Sequence, residues 1–117
     1  MAKLCITSTG DMPEASIDPR FGRCAYFMLV DTVTKKYEAI ANEQKQASGG
    51  AGIQAGQMIA ERGIEVLLTG KVGPNACRVL EASGIEVVTG VDGSIQEVVE
   101  AFQRGVFRAI RKPDMKA

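Results

Sequence analysis

Two arginines three residues apart, with a cysteine directly after the second, are the first side chains here whose chemistry stands out. They lie in Ser16-Ile17-Asp18-Pro19-Arg20-Phe21-Gly22-Arg23-Cys24, which runs into the apolar stretch Ala25-Tyr26-Phe27-Met28-Leu29-Val30. Asp-Pro favours a turn, because proline fixes its own φ and pushes the residue before it out of the α region. Gly22 lets the backbone come close to a neighbour or a ligand. A turn of this composition is either a basic lip for an anion or an ordinary solvated loop. Two other segments favour the lip. Ser48-Gly49-Gly50-Ala51-Gly52 leads into a helix, and Gly70-Lys71-Val72-Gly73-Pro74 into another. Amides at a helix N-terminus, with the helix dipole behind them, attract negative charge. Arg20, Gly22, Arg23, Gly49, Gly50, Gly52, Gly70, Lys71 and Pro74 are therefore the candidate binding residues.

The thiols divide by position. Cys5 falls inside a short apolar run and reads as inert core. Cys24 stands at the mouth of a strand and Cys77 in the first turn of a helix. Two readings stay open for that pair. Arginines and a helix N-terminus lower a thiol pKa, so both suit a soft metal as thiolates; alternatively, both are small hydrophobes at a helix–sheet junction. Two cysteines without a C-x-x-C spacing do not complete a tetrahedral site alone. Asp11, Asp18, Asp31 and Asp92 form no close catalytic set and read as solvated loop carboxylates. Gly50-Ala51-Gly52-Ile53-Gln54-Ala55 fits G-x-G-x-x-A but follows a polar loop rather than a strand, and no G-x-x-x-x-G-K-[ST] occurs. No bound nucleotide is expected.

Composition narrows the classes. The chain has 117 residues, enough for one core. Fourteen Lys+Arg balance fourteen Asp+Glu, so nucleic acid or an anionic membrane is not an expected partner and any anion site must be local. There is no histidine, which removes imidazole acid–base chemistry and imidazole metal ligation. No run approaches the ~20 apolar residues of a membrane span, the first residues are too short an apolar run for a signal peptide, and three cysteines make no disulfide framework. The expected location is the cytoplasm.

The elements that must position these groups are legible from period and punctuation. Lys3–Ser8 reads as a buried strand, 9–23 as a long loop, Cys24–Asp31 as a second strand and Tyr37–Asn42 as a third at an edge. A helix is expected over Ile53–Arg62, with Ala55, Gly56 and Ala60 forming a small face able to lie close to a sheet. The chain then repeats itself: Gly63-Ile64-Glu65-Val66-Leu67-Leu68-Thr69-Gly70 is echoed by Gly84-Ile85-Glu86-Val87-Val88-Thr89-Gly90. Between the copies Pro74 suits the first position of a helix. After the second, Ser94-Ile95-Gln96-Glu97 is a capping box opening a helix that Gly105 stops. The expectation is an α/β three-layer sandwich around a five-stranded mixed sheet, order 3-2-1-4-5 with strand two antiparallel. Residues 1–107 form the single domain, and 108–117, with Arg108, Arg111, Lys112 and Lys116, a basic tail. In such sheets ligands meet the carboxyl ends of the parallel strands, where the three candidate loops open.

Ile17-Asp18-Pro19-Arg20-Phe21-Gly22-Arg23, Gly49-Gly50-Ala51-Gly52-Ile53-Gln54-Ala55 and Leu68-Thr69-Gly70-Lys71-Val72-Gly73-Pro74-Asn75-Ala76 together resemble the dinitrogenase iron–molybdenum cofactor biosynthesis family. That group takes in NifX-like carriers, the C-terminal domain of NifB-like proteins and the molybdenum–copper orange protein. The resemblance spans about residues 3–105. It implies a ribonuclease-H-like fold and a non-catalytic protein that binds a preformed anionic metal–sulfur cluster, Fe-Mo-S or Mo-Cu-S, as carrier or scaffold. Donor and acceptor proteins of the cluster are the implied partners, and the chain is expected as a monomer or weak homodimer. The missing histidine favours the orange-protein branch. Two other classes compete. A small regulatory module would bind nucleotide or phosphate at the same basic edge. A nuclease of ribonuclease-H type would need carboxylates where the first strand has Cys5 and Ile6.

Overall fold

Alternation along each strand sorts the apolar side chains onto two faces, and the helices cover both. A computed structural model describes residues 3–43 and 50–106. Its strands are β1 Lys3–Ser8, β2 Tyr26–Asp31, β3 Lys36–Ala41, β4 Val66–Leu68 and β5 Glu86–Val88; its helices are α1 Ala51–Glu61, α2 Pro74–Ala82 and α3 Ile95–Gln103. They form one sheet in the order β3-β2-β1-β4-β5. β2 runs antiparallel to both β1 and β3, while β1, β4 and β5 are parallel. This is the topology expected from the sequence.

Leu4, Ile6, Met28, Val30, Val66, Leu68 and Val88 meet Ile95, Val98 and Val99 of α3 on one face. Cys5, Phe27 and Leu67, one residue out of step, meet Ala55 and Ile59 of α1 and Ala76 and Leu80 of α2 on the other. Each large aliphatic side chain so buried contributes about 1.5–3 kcal/mol. Within the small face of α1, Ala55 packs toward the sheet as expected but Gly56 has a different neighbour. A Cβ on Gly56 would lie 3.3 Å from Val79 and 3.5 Å from Leu80, so this glycine admits α2, not the sheet.

Boundaries shift where side chains intervene. β2 starts at Tyr26 rather than Cys24, because the Ala25 amide donates to the Asp18 carboxylate (3.3 Å) instead of a ladder partner. α1 starts at Ala51 rather than Ile53, since Gly50 takes a left-handed φ of 73° as its N-cap. Gly52 thus belongs to the first turn of the helix, not to a loop. The basic tail and Gly49 lie outside the described residues.

All three helices begin at the same edge of the sheet, the one reached by the loops after β1, β3, β4 and β5. α3 is closed there by its own sequence and by the loop after β1. Ser94 Oγ accepts from the Glu97 amide (3.1 Å) and Glu97 Oε1 from the Ser94 amide (3.1 Å). The Ile95 and Gln96 amides donate to the carbonyls of Ala15 (2.9 Å) and Pro13 (3.0 Å). Replacing Ser94 with alanine is expected to lower stability by about 1 kcal/mol, read from the urea midpoint at an unchanged slope.

Candidate functional site

Three loops meet at the carboxyl edge because glycines let their backbones touch. The Lys71 amide donates to the Pro19 carbonyl (2.7 Å) and the Phe21 amide to the Lys71 carbonyl (3.0 Å), a short parallel bridge between Arg20 and Lys71. A Cβ on Gly70 would fall 2.7 Å from Pro19 Cα, and one on Gly22, at φ 93°, 2.8 Å from Gly52 Cα. No side chain fits either gap. Gly22 and Gly70 are therefore closed against backbone, Gly22 against the first turn of α1 and Gly70 against the arginine loop. Gly52 faces Ala76 as well, at 3.0 Å. Gly50, also at positive φ, has nothing within 4 Å of the position of a Cβ.

The arginine loop is fastened from beneath by two side chains, Asp18 and Asn42, to which the sequence reading gave no anchoring role. Asp18 is 3% exposed, not a solvated loop carboxylate. Its Oδ1 accepts from the Arg20 amide (3.1 Å) and Arg20 Nε (3.3 Å), and its Oδ2 from Ala25 N (3.3 Å). The Asp18 carbonyl accepts from Thr7 Oγ1 (2.6 Å), which pairs with Thr69 Oγ1 at 2.7 Å between the ends of β1 and β4. Asn42, just past β3 and 6% exposed, donates through Nδ2 to the carbonyls of Gly22 and Cys24, both at 2.9 Å. An aspartate before proline was visible; its burial depends on the fold. Asn42 left no signal in sequence beyond its place at a strand end.

Next to this loop lies an open hollow of about 240 Å³, lined by Phe21, Arg23, residues 50–53 and residues 73–76. These last two runs are the N-caps and first turns of α1 and α2. Both N-caps are glycine, neither has a capping side chain, and neither first turn holds an acid. The first intrahelical bonds run from Gln54 N to Gly50 O and from Cys77 N to Gly73 O, each 2.9 Å. The amides of Ala51, Gly52, Ile53, Asn75 and Ala76 thus have no intrahelical acceptor. Pro74, at the first position of α2 as expected, contributes no amide. Two bare helix N-termini and one arginine share a hollow, which is the arrangement that receives an anion.

Of the candidate binding residues, Arg23, Gly50, Gly52 and Pro74 line this hollow. Arg20 and Lys71 are exposed beside it on the bridged loops, and Arg20 is also paired with Asp18. Gly22 and Gly70 hold the loops together. Of the two readings left open for the thiols, the structure does not favour the thiolate one. Cys24 is fully buried; burial first, and the Asp18 charge second, push its pKa to about 12. Amides of Gly22 and Cys24 and the Asn42 side chain pull the other way without prevailing. Burial also raises Cys77, followed by the charge of Glu81 and its hydrogen bond; Cys77 Sγ donates to Glu81 Oε2 at 3.6 Å. Cys5 is fully buried and raised by burial, then by Cys24. Among the described residues no group of three or more Cys, Asp or Glu could hold a metal ion. The donors present therefore fit a group whose outer atoms carry negative charge, more than a bare metal ion.

The fold and hollow together define a class: small α/β proteins with a mixed five-stranded sheet and an amide-lined, basic pocket at its carboxyl edge. Within it, this chain belongs to the dinitrogenase iron-molybdenum cofactor family, whose model matches residues 2–105. It is 32% identical over 92 residues, 76% of this chain and 78% of the relative, to an uncharacterized protein of Methanocaldococcus jannaschii. Among solved structures it is similar to the apo form of the orange protein from Desulfovibrio gigas, with TM-score 0.86 and 39% identity, covering 90% of this chain and 89% of that one. A putative NifB protein from Thermotoga is also similar, with TM-score 0.78 and 33% identity over 90% of each chain.

Two outcomes follow from the geometry. Gly22→Ala is expected to lower stability by roughly 2 kcal/mol or more, since a clash with Gly52 adds to the strain of positive φ, while Gly50→Ala carries only the strain, about 1–2 kcal/mol. Denaturant titration of the two variants checks the ordering. The second concerns the thiols. The unfolded Cys24 ionises near 9.0 but the folded one near about 12, so the unfolded state loses its proton first as pH rises. Stability from this group is complete below pH 9 and declines toward 12. Cys24→Ser removes that titration, so its stability profile above pH 9 is expected to be flatter than the parent's. A thiol reagent at neutral pH is expected to modify Cys77 first.

Proposed function

We propose that this chain binds and carries a preformed, anionic metal–sulfur cluster, of the Fe-Mo or Mo-Cu type, and is not an enzyme. One observation supports this above the rest: the uncapped N-termini of α1 and α2 meet Arg23 on a single open hollow. Family membership supports the class of cargo. Terminal sulfides of a thiometallate are soft, bulky and negative. They accept hydrogen bonds from amides and a guanidinium without needing a rigid cage of ligands. Gly50, with open space beside it, lets such a body come down onto the helix ends.

Holding of this kind makes no covalent bond, so the cargo leaves as it arrived. That suits a carrier handing a cluster from a donor protein to an acceptor, acting in the cytoplasm as a monomer or weak homodimer. Among the described residues no helix is long and apolar enough to cross a membrane. The thiols, protonated at neutral pH by burial and acidic neighbours, are secondary in this reading.

Tetrathiomolybdate, titrated without oxygen and followed by its absorption, tests the proposal. Arg23→Ala is expected to weaken binding by about tenfold or more, the range of a charge-assisted hydrogen bond, with little change in thermal midpoint because the side chain is exposed. Arg20→Ala, outside the hollow and tied to Asp18, is expected to weaken it less. Salt should weaken the parent complex more than the Arg23→Ala complex. Unchanged affinity in Arg23→Ala would sink the reading, and displacement by millimolar phosphate would turn it toward an oxyanion-sensing module.

A further inference from the structure

We infer that Asn42 is a positioning residue, one that sets the arginine loop in its receiving shape before any anion arrives. The inference rests on the proposed use of the hollow and asks what keeps its basic wall in place.

Arg23 stands between two carbonyls, those of Gly22 and Cys24, and Asn42 Nδ2 donates to both at 2.9 Å. A single buried amide group thus holds the carbonyl of the residue before and of the residue after the one arginine that lines the hollow. The main chain of Asn42 adds a third tie, its amide donating to the Ala25 carbonyl at 3.0 Å. Asp18 anchors the same loop further out, at the amides of Arg20 and Ala25, and the Lys71 carbonyl takes the amide of Phe21. Asn42 spans the turn between Gly22 and Cys24, and it comes from just past the end of β3.

The division of labour has a physical purpose. An exposed arginine on a free loop would lose both backbone and side-chain freedom on binding, which weakens association. Fixing the carbonyls on either side of Arg23 in the unbound protein removes much of the backbone part beforehand. Asn42 touches no ligand in this account and acts only through Arg23. It sits 6% exposed, beneath the loop and not among the residues lining the hollow.

The test is a double-mutant cycle on tetrathiomolybdate binding, using Asn42→Asp, Arg23→Ala and the pair. Asn42→Asp keeps the size of the side chain but exchanges its donating group for a carboxylate oxygen that adds negative charge; Asn42→Ala, the second variant, removes the donor without adding charge, so an effect of positioning must appear in both. Each Asn42 variant is expected to weaken binding by about tenfold. In the Arg23→Ala background it is expected to add little, because the residue it positions is gone. A structural role unrelated to Arg23 would instead give losses that multiply. The second readout needs no ligand. Heteronuclear NOE values of the amides at 22–24 are expected to fall in both variants while those of β1 and α3 stay at parent values. Parent-like ordering of that loop in a folded Asn42→Asp protein overturns the inference. So does parent-like affinity, or multiplying losses. If Arg23→Ala binds as tightly as the parent, the proposed function fails instead, and loop ordering alone then decides the positioning role.

Discussion

Contact between backbones with no side chain in the gap is what the site depends on. Gly22 against Gly52, and Gly70 against Pro19, bring the loop after β1 to within a few ångströms of the first turn of α1 and of the loop after β4. Any Cβ at Gly22 or Gly70 would meet backbone, which cannot swing aside as a flexible side-chain tip can. The two hydrogen bonds between Lys71 and the 19–21 segment then lock the approach. Without it Arg23 would stand on a loop unattached to the helix ends, and the N-termini of α1 and α2 would open onto water with no cation beside them.

The same edge is electrostatically divided, and the division follows from how each helix begins. α3 spends its first amides on Ser94, Ala15 and Pro13, and places Glu97 in its first turn. α1 and α2 begin at glycine, with no acid and no cap. An anion approaching the sheet meets filled donors and a carboxylate over α3, and, among the described residues, helix amides without a side-chain cap over α1 and α2, beside Arg23. A chain of balanced total charge thereby keeps a local preference for negative charge. The buried carboxylate of Asp18 belongs to this arrangement. It satisfies two loop amides that would otherwise be unpaired beneath the surface, and its charge helps keep the Cys24 thiol protonated.

Much of this protein was determined by local pattern. The period-2 strands, the repeated Gly-strand-Thr-Gly unit, Pro74 at a helix start and the Ser94–Glu97 capping box each report a short-range preference, and each is where the sequence puts it. Crossover handedness then leaves one strand order. That the motifs carrying Arg23, Gly50 and Pro74 come to one hollow was legible for the same reason: loops after parallel strands open at one edge. Other assignments hinged on distances between segments far apart in the chain. Gly22 and Gly70 serve a neighbour's backbone because Gly52 and Pro19 happen to lie opposite them. Asp18 is buried because Arg20 and Ala25 turn their amides under the loop, and Asn42 matters because β3 ends beneath Gly22 and Cys24. Of the two readings open for the thiols, the structure favours the protonated one for a related reason. Arginines nearby in sequence suggested a low pKa, but burial and the carboxylates nearby in space, Asp18 and Glu81, outweigh them. Sequence determined which elements form and at which edge their loops gather; the tertiary structure alone decided which residues line the hollow and which hold it open, because both burial and charge are set by neighbours that only folding supplies.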